Sequence, residues 1–152
     1  MVGVAGLVIA FLTWYPSWAD RTSSPEERAG YIATVDAMCA AATDEHNRVL
    51  GSYPDDPGEA IAYFSEEKRI YGTLFERWAA IPWPRKSDDE LLRPILNSFL
   101  ALIHGIDSII KLLQRGSDTD AAINGILAKR SELTEDIQSQ ARAYGFRSCA
   151  VM

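Results

Sequence analysis

Two histidines, two cysteines and a few charged residues set among apolar ones are the side chains with chemistry to offer in this sequence. His46 falls on the apolar stripe of a helical stretch, about two turns beyond Cys39, and an imidazole inside a helical bundle can ligate a metal or a haem. Such a centre needs further ligands at fixed spacing. The other histidine, His104, lies on a polar face with Asn97 and Lys111, and there is neither a Glu-x-x-His pair nor a Cys-x-x-Cys-His run. No metal or cofactor is expected, and His46 reads more simply as a hydrogen-bonded histidine near a helix end. Charge offers a second possibility. Glu67 or Lys68 must fall close to the buried face of its helix, and Arg130 interrupts an apolar stripe between Ile126 and Leu133. Such charges either form one buried ion pair that sets helix register or line a pocket for an acidic or zwitterionic ligand. His46, Glu67 and Arg130 are therefore the candidate ligand-binding residues. The serines have no histidine partner in their sequence context and no glycine-rich phosphate loop is present, so an enzyme is not expected.

Cys39 and Cys149 are the only cysteines and stand far apart, the second close to the end of the chain. Behind an uncharged apolar leader, two distant cysteines read as a pair that closes a disulfide once the body has crossed a membrane. The plainer alternative is a buried thiol on an apolar stripe. The run from Met1 to Ala19 carries no ionisable side chain and is apolar on every face. Eighteen such residues reach about 27 Å as a helix, close to the hydrocarbon thickness of a bilayer. Trp14, Tyr15 and Trp18 then stand where an aromatic belt meets the headgroups, and Asp20 and Arg21 begin the polar body. Ser17 and Ala19 also fit a signal-peptidase site, with Pro16 just upstream, so secretion after cleavage is the rival expectation. No Lys or Arg precedes the run, as expected of a start codon placed too far downstream. Either way residues 1–19 form an anchor or signal, and residues 20–152 form a body outside the cytoplasm.

Helix punctuation divides that body into four. Ser24-Pro25-Glu26-Glu27 and Asp56-Pro57-Gly58-Glu59 each place a capping residue before a proline, with a glutamate three positions after the cap. Ser87-Asp88-Asp89-Glu90 reads as a third capping box, and Ser117-Asp118-Thr119-Asp120 opens a fourth helix whose left-handed terminator is Gly145. The helices are expected to end near Leu50, Ala80, Arg115 and Tyr144. Apolar residues recur at helical spacing in all four, with no strand alternation. The resulting expectation is all-α: an up-down-up-down four-helix bundle preceded by an N-terminal apolar helix. Pro94 either kinks the third helix or delays its start.

Geometry constrains the cysteines. The tail from Gly145 to Cys149 extends only about 13–16 Å, whereas Cys39 lies roughly 20 Å along its helix from Pro25. Helix four must end part-way up helix one, or the tail must fold back along it. In the first case the opening turns of helix one protrude as a stalk. The leading expectation is a non-enzymatic, membrane-tethered domain with a protein-interaction or accessory role in a membrane assembly, ligand binding near His46, Glu67 and Arg130 being the alternative. Trp78, Ile81 and Trp83 either offer an apolar patch to such a partner or cap the bundle end. A formal charge of −6, with 47% hydrophobic and 24% charged residues, argues for one globular domain and against a nucleic-acid surface, which needs clustered Lys and Arg, and the same balance disfavours electrostatic adhesion to anionic lipid.

Asp36-Ala37-Met38-Cys39-Ala40, Ile81-Pro82-Trp83-Pro84 and the closing Tyr144-Gly145-Phe146-Arg147-Ser148-Cys149 together resemble a pattern in secreted or membrane-attached actinobacterial proteins of unknown function. The resemblance implies an extracytoplasmic helical bundle stapled at Cys39 and Cys149. It implies no activity, cofactor or catalytic residue.

Overall fold

A computed structural model describes residues 24–54, 56–116 and 120–151. The apolar segment 1–19 and the expected caps at 117–119 lie outside the described residues. Four helices follow in order: α1 (Pro25–Val49), α2 (Pro57–Ala79), α3 (Asp89–Arg115) and α4 (Asp120–Tyr144), with a 3-10 turn at Lys86–Asp88 before α3. No strand occurs among the described residues.

The local signals at the first two helix starts act as their chemistry requires. Glu27 N donates to Ser24 Oγ at 3.2 Å while Ser24 N donates to Glu27 Oε2 at 2.9 Å, a reciprocal capping box. Asp56 Oδ1 accepts from Gly58 N and Glu59 N at 2.8 and 3.0 Å. At the end of α4, Gly145 has φ 114°, and Phe146 N donates to Ala141 O at 2.9 Å, which closes the helix in a left-handed cap. A Cβ at Gly145 would also stand 3.3 Å from Ile32 Cδ1, so glycine meets both a backbone and a packing demand.

The third capping box does not form. Asp88 occupies the N-cap position with helical backbone and makes no side-chain cap bond. Its buried carboxylate instead accepts the Tyr144 hydroxyl at 3.0 Å. A carboxylate turned into the core cannot also reach the amides of its own first turn. Pro94 does not delay α3, which runs from Asp89 straight through it. The proline is exposed, so the Glu90 carbonyl that loses its partner lies towards water, where that loss is tolerated. Val49 is 39% exposed, while Tyr31, Leu96 and Ile109 join the core.

Long-range contacts set the direction of the helices. Trp78 Nε1 donates to Tyr31 Oη at 2.8 Å near one end, and Arg69 reaches Glu45 further along, so α1 and α2 run antiparallel. Trp78 against Phe99 and Lys68 paired with Asp107 do the same for α2 and α3. Asp88 against Tyr144 joins the start of α3 to the end of α4. α3 is the central helix. Leu92, Ile95, Ile106 and Ile109 are fully buried in it, and it packs on both α2 and α4. The stretch Lys86–Arg115 is also long and apolar enough to cross a membrane by length and composition, with mean hydropathy 1.5. Those are equally the properties of a helix that packs on two neighbours.

Of the two routes open to the tail, the chain takes the fold-back. Arg28 Nη2 donates to the Tyr144 carbonyl at 2.9 Å, and its guanidinium lies 4.5 Å from the centre of the Tyr144 ring. The first turns of α1 are thus packed against the end of α4 rather than free as a stalk. Beyond Gly145 the chain returns along α1, where Asp36 Oδ1 accepts from the amides of Arg147, Ser148 and Cys149 at 3.0, 2.8 and 3.3 Å. One side-chain carboxylate satisfies three consecutive backbone donors. Cys39 and Cys149 then lie at disulfide distance, their alpha carbons 5.2 Å apart.

Candidate ligand cavity

The buried stripe of α2 recurs at Ala60, Phe64, Glu67, Ile70, Leu74 and Trp78, steps of three and four that place Glu67 inward, with the half-buried Tyr71 one turn beyond it. α4 repeats the arrangement, with Arg130 one heptad after Ile123 and one before Ile137. Because the helices alternate in direction, these two charged positions come level. Arg130 Nη1 donates to Glu67 Oε2 at 2.9 Å and Arg130 Nη2 pairs with Oε1, a bidentate fork. His46 Nε2 stands 3.5 Å from Glu67 Oε1, and its ring lies 5.7 Å from that of Tyr71. Glu67 is 1% exposed, whereas Arg130 and His46 keep 23% and 24%. Lys68, the other possible inward charge of α2, joins Lys111 around Asp107 on the far side of the helix pair.

These three side chains border a cavity of about 260 Å³. Tyr63 and Tyr71 from α2 and Phe99 and Leu102 from α3 form its walls, Thr134, Ile137 and Gln138 close the α4 side, and Cys149 of the tail completes the lining. His46, Glu67 and Arg130, singled out in the sequence for separate reasons, are brought to one place by three different helices. Tyr71 and the tail residue Cys149 had no sequence signal for this role. Tyr71 reads as core, and Cys149 reaches the cavity only because the tail folds back.

Burial pushes the Tyr71 hydroxyl up to about 12, with the Glu67 charge adding to the rise and Arg130 opposing it. Burial and Glu67 raise Tyr63 likewise. At neutral pH both phenols stay protonated and can donate. The shift has a stability consequence. Above about pH 10 the unfolded chain loses the Tyr71 proton while the folded chain keeps it, so stability falls as pH rises from about 10 to 12. Two units correspond to about 2 kcal/mol over that window. Urea melts at pH 8, 10 and 11.5 are expected to show a steeper alkaline loss for the native chain than for Tyr71→Phe. Parallel curves would remove this account of Tyr71.

Both oxygens of Glu67 are engaged by the Arg130 fork, with His46 Nε2 beside Oε1. The cavity is equipped to bind: apolar walls, phenols that donate, and one internally neutralised ion pair at its edge. Among the described residues no group of three or more His, Cys, Asp or Glu side chains is placed to hold a metal ion. His104 is exposed on α3 and does not line this cavity.

The aromatic hinge divides. Trp78 has no exposed surface, which fits the second of its two expected readings, a cap at the bundle end. Its indole N–H is satisfied by Tyr31 and its ring packs on Phe99 and Phe146, which makes it a cap on the core. Trp83 stays half-buried, with the Arg93 guanidinium 5.4 Å from its ring centre. Tyr53, 51% exposed, packs edge-on against Tyr63 and Phe64.

No family model matches the chain, and neither a curated protein nor a solved structure matches it.

Proposed function

We propose that this chain is a membrane-tethered helical domain, its body outside the cytoplasm, that binds a small ligand in the cavity between its helices. The observation that carries the reading is the convergence of His46, Glu67 and Arg130 on one space of about 260 Å³ with aromatic walls. A dry cavity of about 150 Å³ already accommodates benzene, so a single-ring or branched compound with one or two polar groups fits this one. Tyr63 and Tyr71 supply donors for an oxygen of the ligand, and Phe99 and Leu102 the apolar contact. The role is binding without turnover, since Glu67 is locked by Arg130 and the cysteines lie within bonding distance of each other. Residues 1–19 act as the tether, and the pairing of Cys39 with Cys149 belongs to an oxidising compartment. The competing reading, a protein-docking patch built on Trp78 and Trp83, loses support because Trp78 is enclosed. Among the described residues the large exposed apolar side chains are Val49 and Tyr53 around the α1–α2 connection, Leu91 in the first turn of α3 and Val151 in the tail.

Native mass spectrometry of the protein extracted from its own membranes in mild detergent tests both halves. A non-covalent adduct is expected on the native chain and not on Thr134→Trp, which fills the cavity. An adduct that persists on Thr134→Trp, or none on either, ends the ligand reading. Release of the protein from membranes by alkaline carbonate ends the tether.

A further inference from the structure

The end of the bundle from which α1 departs carries a second surface. Trp78 near the close of α2 is held by Tyr31 in α1, and Asp88 before α3 is held by Tyr144, whose carbonyl Arg28 grips. The connection between α2 and α3 is thereby fixed at the end of the bundle where the chain enters from residues 1–19. Only Asp20 to Ser24 separate that apolar run from α1, and five residues reach no further than about 17 Å. With residues 1–19 in a bilayer, as proposed above, the start of α1 and the α2–α3 connection beside it come within reach of its surface.

The connection is built for such a place. Ile81, Pro82 and Trp83 supply the apolar part of an open groove of about 440 Å³, which Arg85, Lys86 and Arg93 line together with one carboxylate, Asp89. Arg93 lies over the Trp83 ring, and Leu91, 52% exposed, follows in the first turn of α3. An amphipathic ring beside cationic side chains is the composition that settles at phospholipid headgroups. Of the carboxylates at this end, Asp88 is buried beneath the Tyr144 hydroxyl and Glu27 serves the Ser24 cap, whereas Asp89 lies in the groove lining and engages the Arg93 guanidinium, so a phosphate must compete with it there. Glu26 and Glu90 add negative charge, which confines the attraction to the groove itself.

The geometry points to this groove as a membrane-contact surface that takes the phosphate of an anionic phospholipid between Lys86 and Arg93, with Trp83 at headgroup level. The inference rests on the tether and is independent of the ligand cavity. Its test uses the full chain reconstituted into phosphatidylcholine vesicles brominated near the top of the acyl chains, with and without phosphatidylglycerol. Trp78 is enclosed and contributes equally to both chains, so the emission of the native chain minus that of Trp83→Phe isolates Trp83. Bromine is expected to remove the greater part of that emission, and more of it when phosphatidylglycerol is present. The double substitution Lys86→Gln, Arg93→Gln is expected to abolish the dependence on phosphatidylglycerol. Unquenched Trp83 emission, in a chain whose Trp14 and Trp18 are quenched, overturns the surface and leaves the tether standing. No quenching of any tryptophan overturns both. Quenching of Trp83 that is indifferent to phosphatidylglycerol overturns the assignment of an anionic headgroup.

Discussion

Replacing Cys39 and Cys149 together by alanine is expected to lower the unfolding free energy by about 4 kcal/mol and the melting temperature by roughly 10–15 °C. The two cysteines are 110 residues apart in sequence, so a bond between them closes almost the whole body into one loop. In the chain-entropy account such a loop restricts the unfolded ensemble more than a short one does, while the native contacts stay as they are. The native fold around the site supports this division. Cys39 and Cys149 are both fully buried, and the tail is held separately by Asp36 through three backbone amides. The double alanine variant should therefore keep the tail in place and lose stability mainly through the unfolded state. Adding Asp36→Ala should then free the tail, visible as faster hydrogen exchange at residues 147–149, and should open the side of the cavity that Cys149 lines. Thermal melts of the oxidised chain, the dithiol-reduced chain and the double variant check the first part. Equal melting temperatures for all three would show that the pair contributes nothing.

Glu67→Leu carries the second large effect, a loss of about 3 kcal/mol. That is the low end of the range for breaking a buried ion pair, chosen because Arg130 retains 23% exposure and keeps some access to water. The substitution leaves a guanidinium at the core edge with neither fork partner, and leaves His46 facing an apolar side chain. The cost belongs to the charge left behind. Glu67→Leu combined with Arg130→Met is accordingly expected to return to within about 1 kcal/mol of the native chain, because two apolar side chains of similar volume remove the desolvation penalty along with the attraction. A double-mutant cycle in urea measures the coupling directly. If Glu67→Leu alone costs less than about 1 kcal/mol, the pair is an ordinary surface bridge. The double variant also separates the roles of the two residues: a fold retained with its ligand adduct lost assigns the pair to binding, and retention of both assigns it to helix register.

Much of the architecture was legible because its signals are local. Ser24-Pro25-Glu26-Glu27 and Asp56-Pro57-Gly58-Glu59 satisfy their own helix ends with side chains two or three residues away, and Gly145 closes α4 by a backbone geometry that side chains resist. Ser87-Asp88-Asp89-Glu90 has the same local grammar and fails as a cap, since Tyr144 draws the Asp88 carboxylate into the core. Nothing within a few residues of Asp88 announces Tyr144. Asp36 is a similar case: it stands one turn before Cys39 and reads as an ordinary helical carboxylate until the tail arrives beside it.

From the sequence alone follow four helices and their approximate ends, a charge at Glu67 or Lys68 near the buried face of α2, Arg130 on the stripe of α4, and the reach that allows the tail only two routes to Cys39. Periodicity and capping are short-range properties, set by spacing along one chain segment. Which route the tail takes, whether Trp78 or Trp83 stays at the surface, and whether His46, Glu67 and Arg130 share one cavity depend on how far each helix slides past its neighbour. That register is decided by contacts such as Trp78 with Tyr31, Asp88 with Tyr144 and Glu67 with Arg130, each made between residues dozens of positions apart. Their energies exist only once the helices have packed.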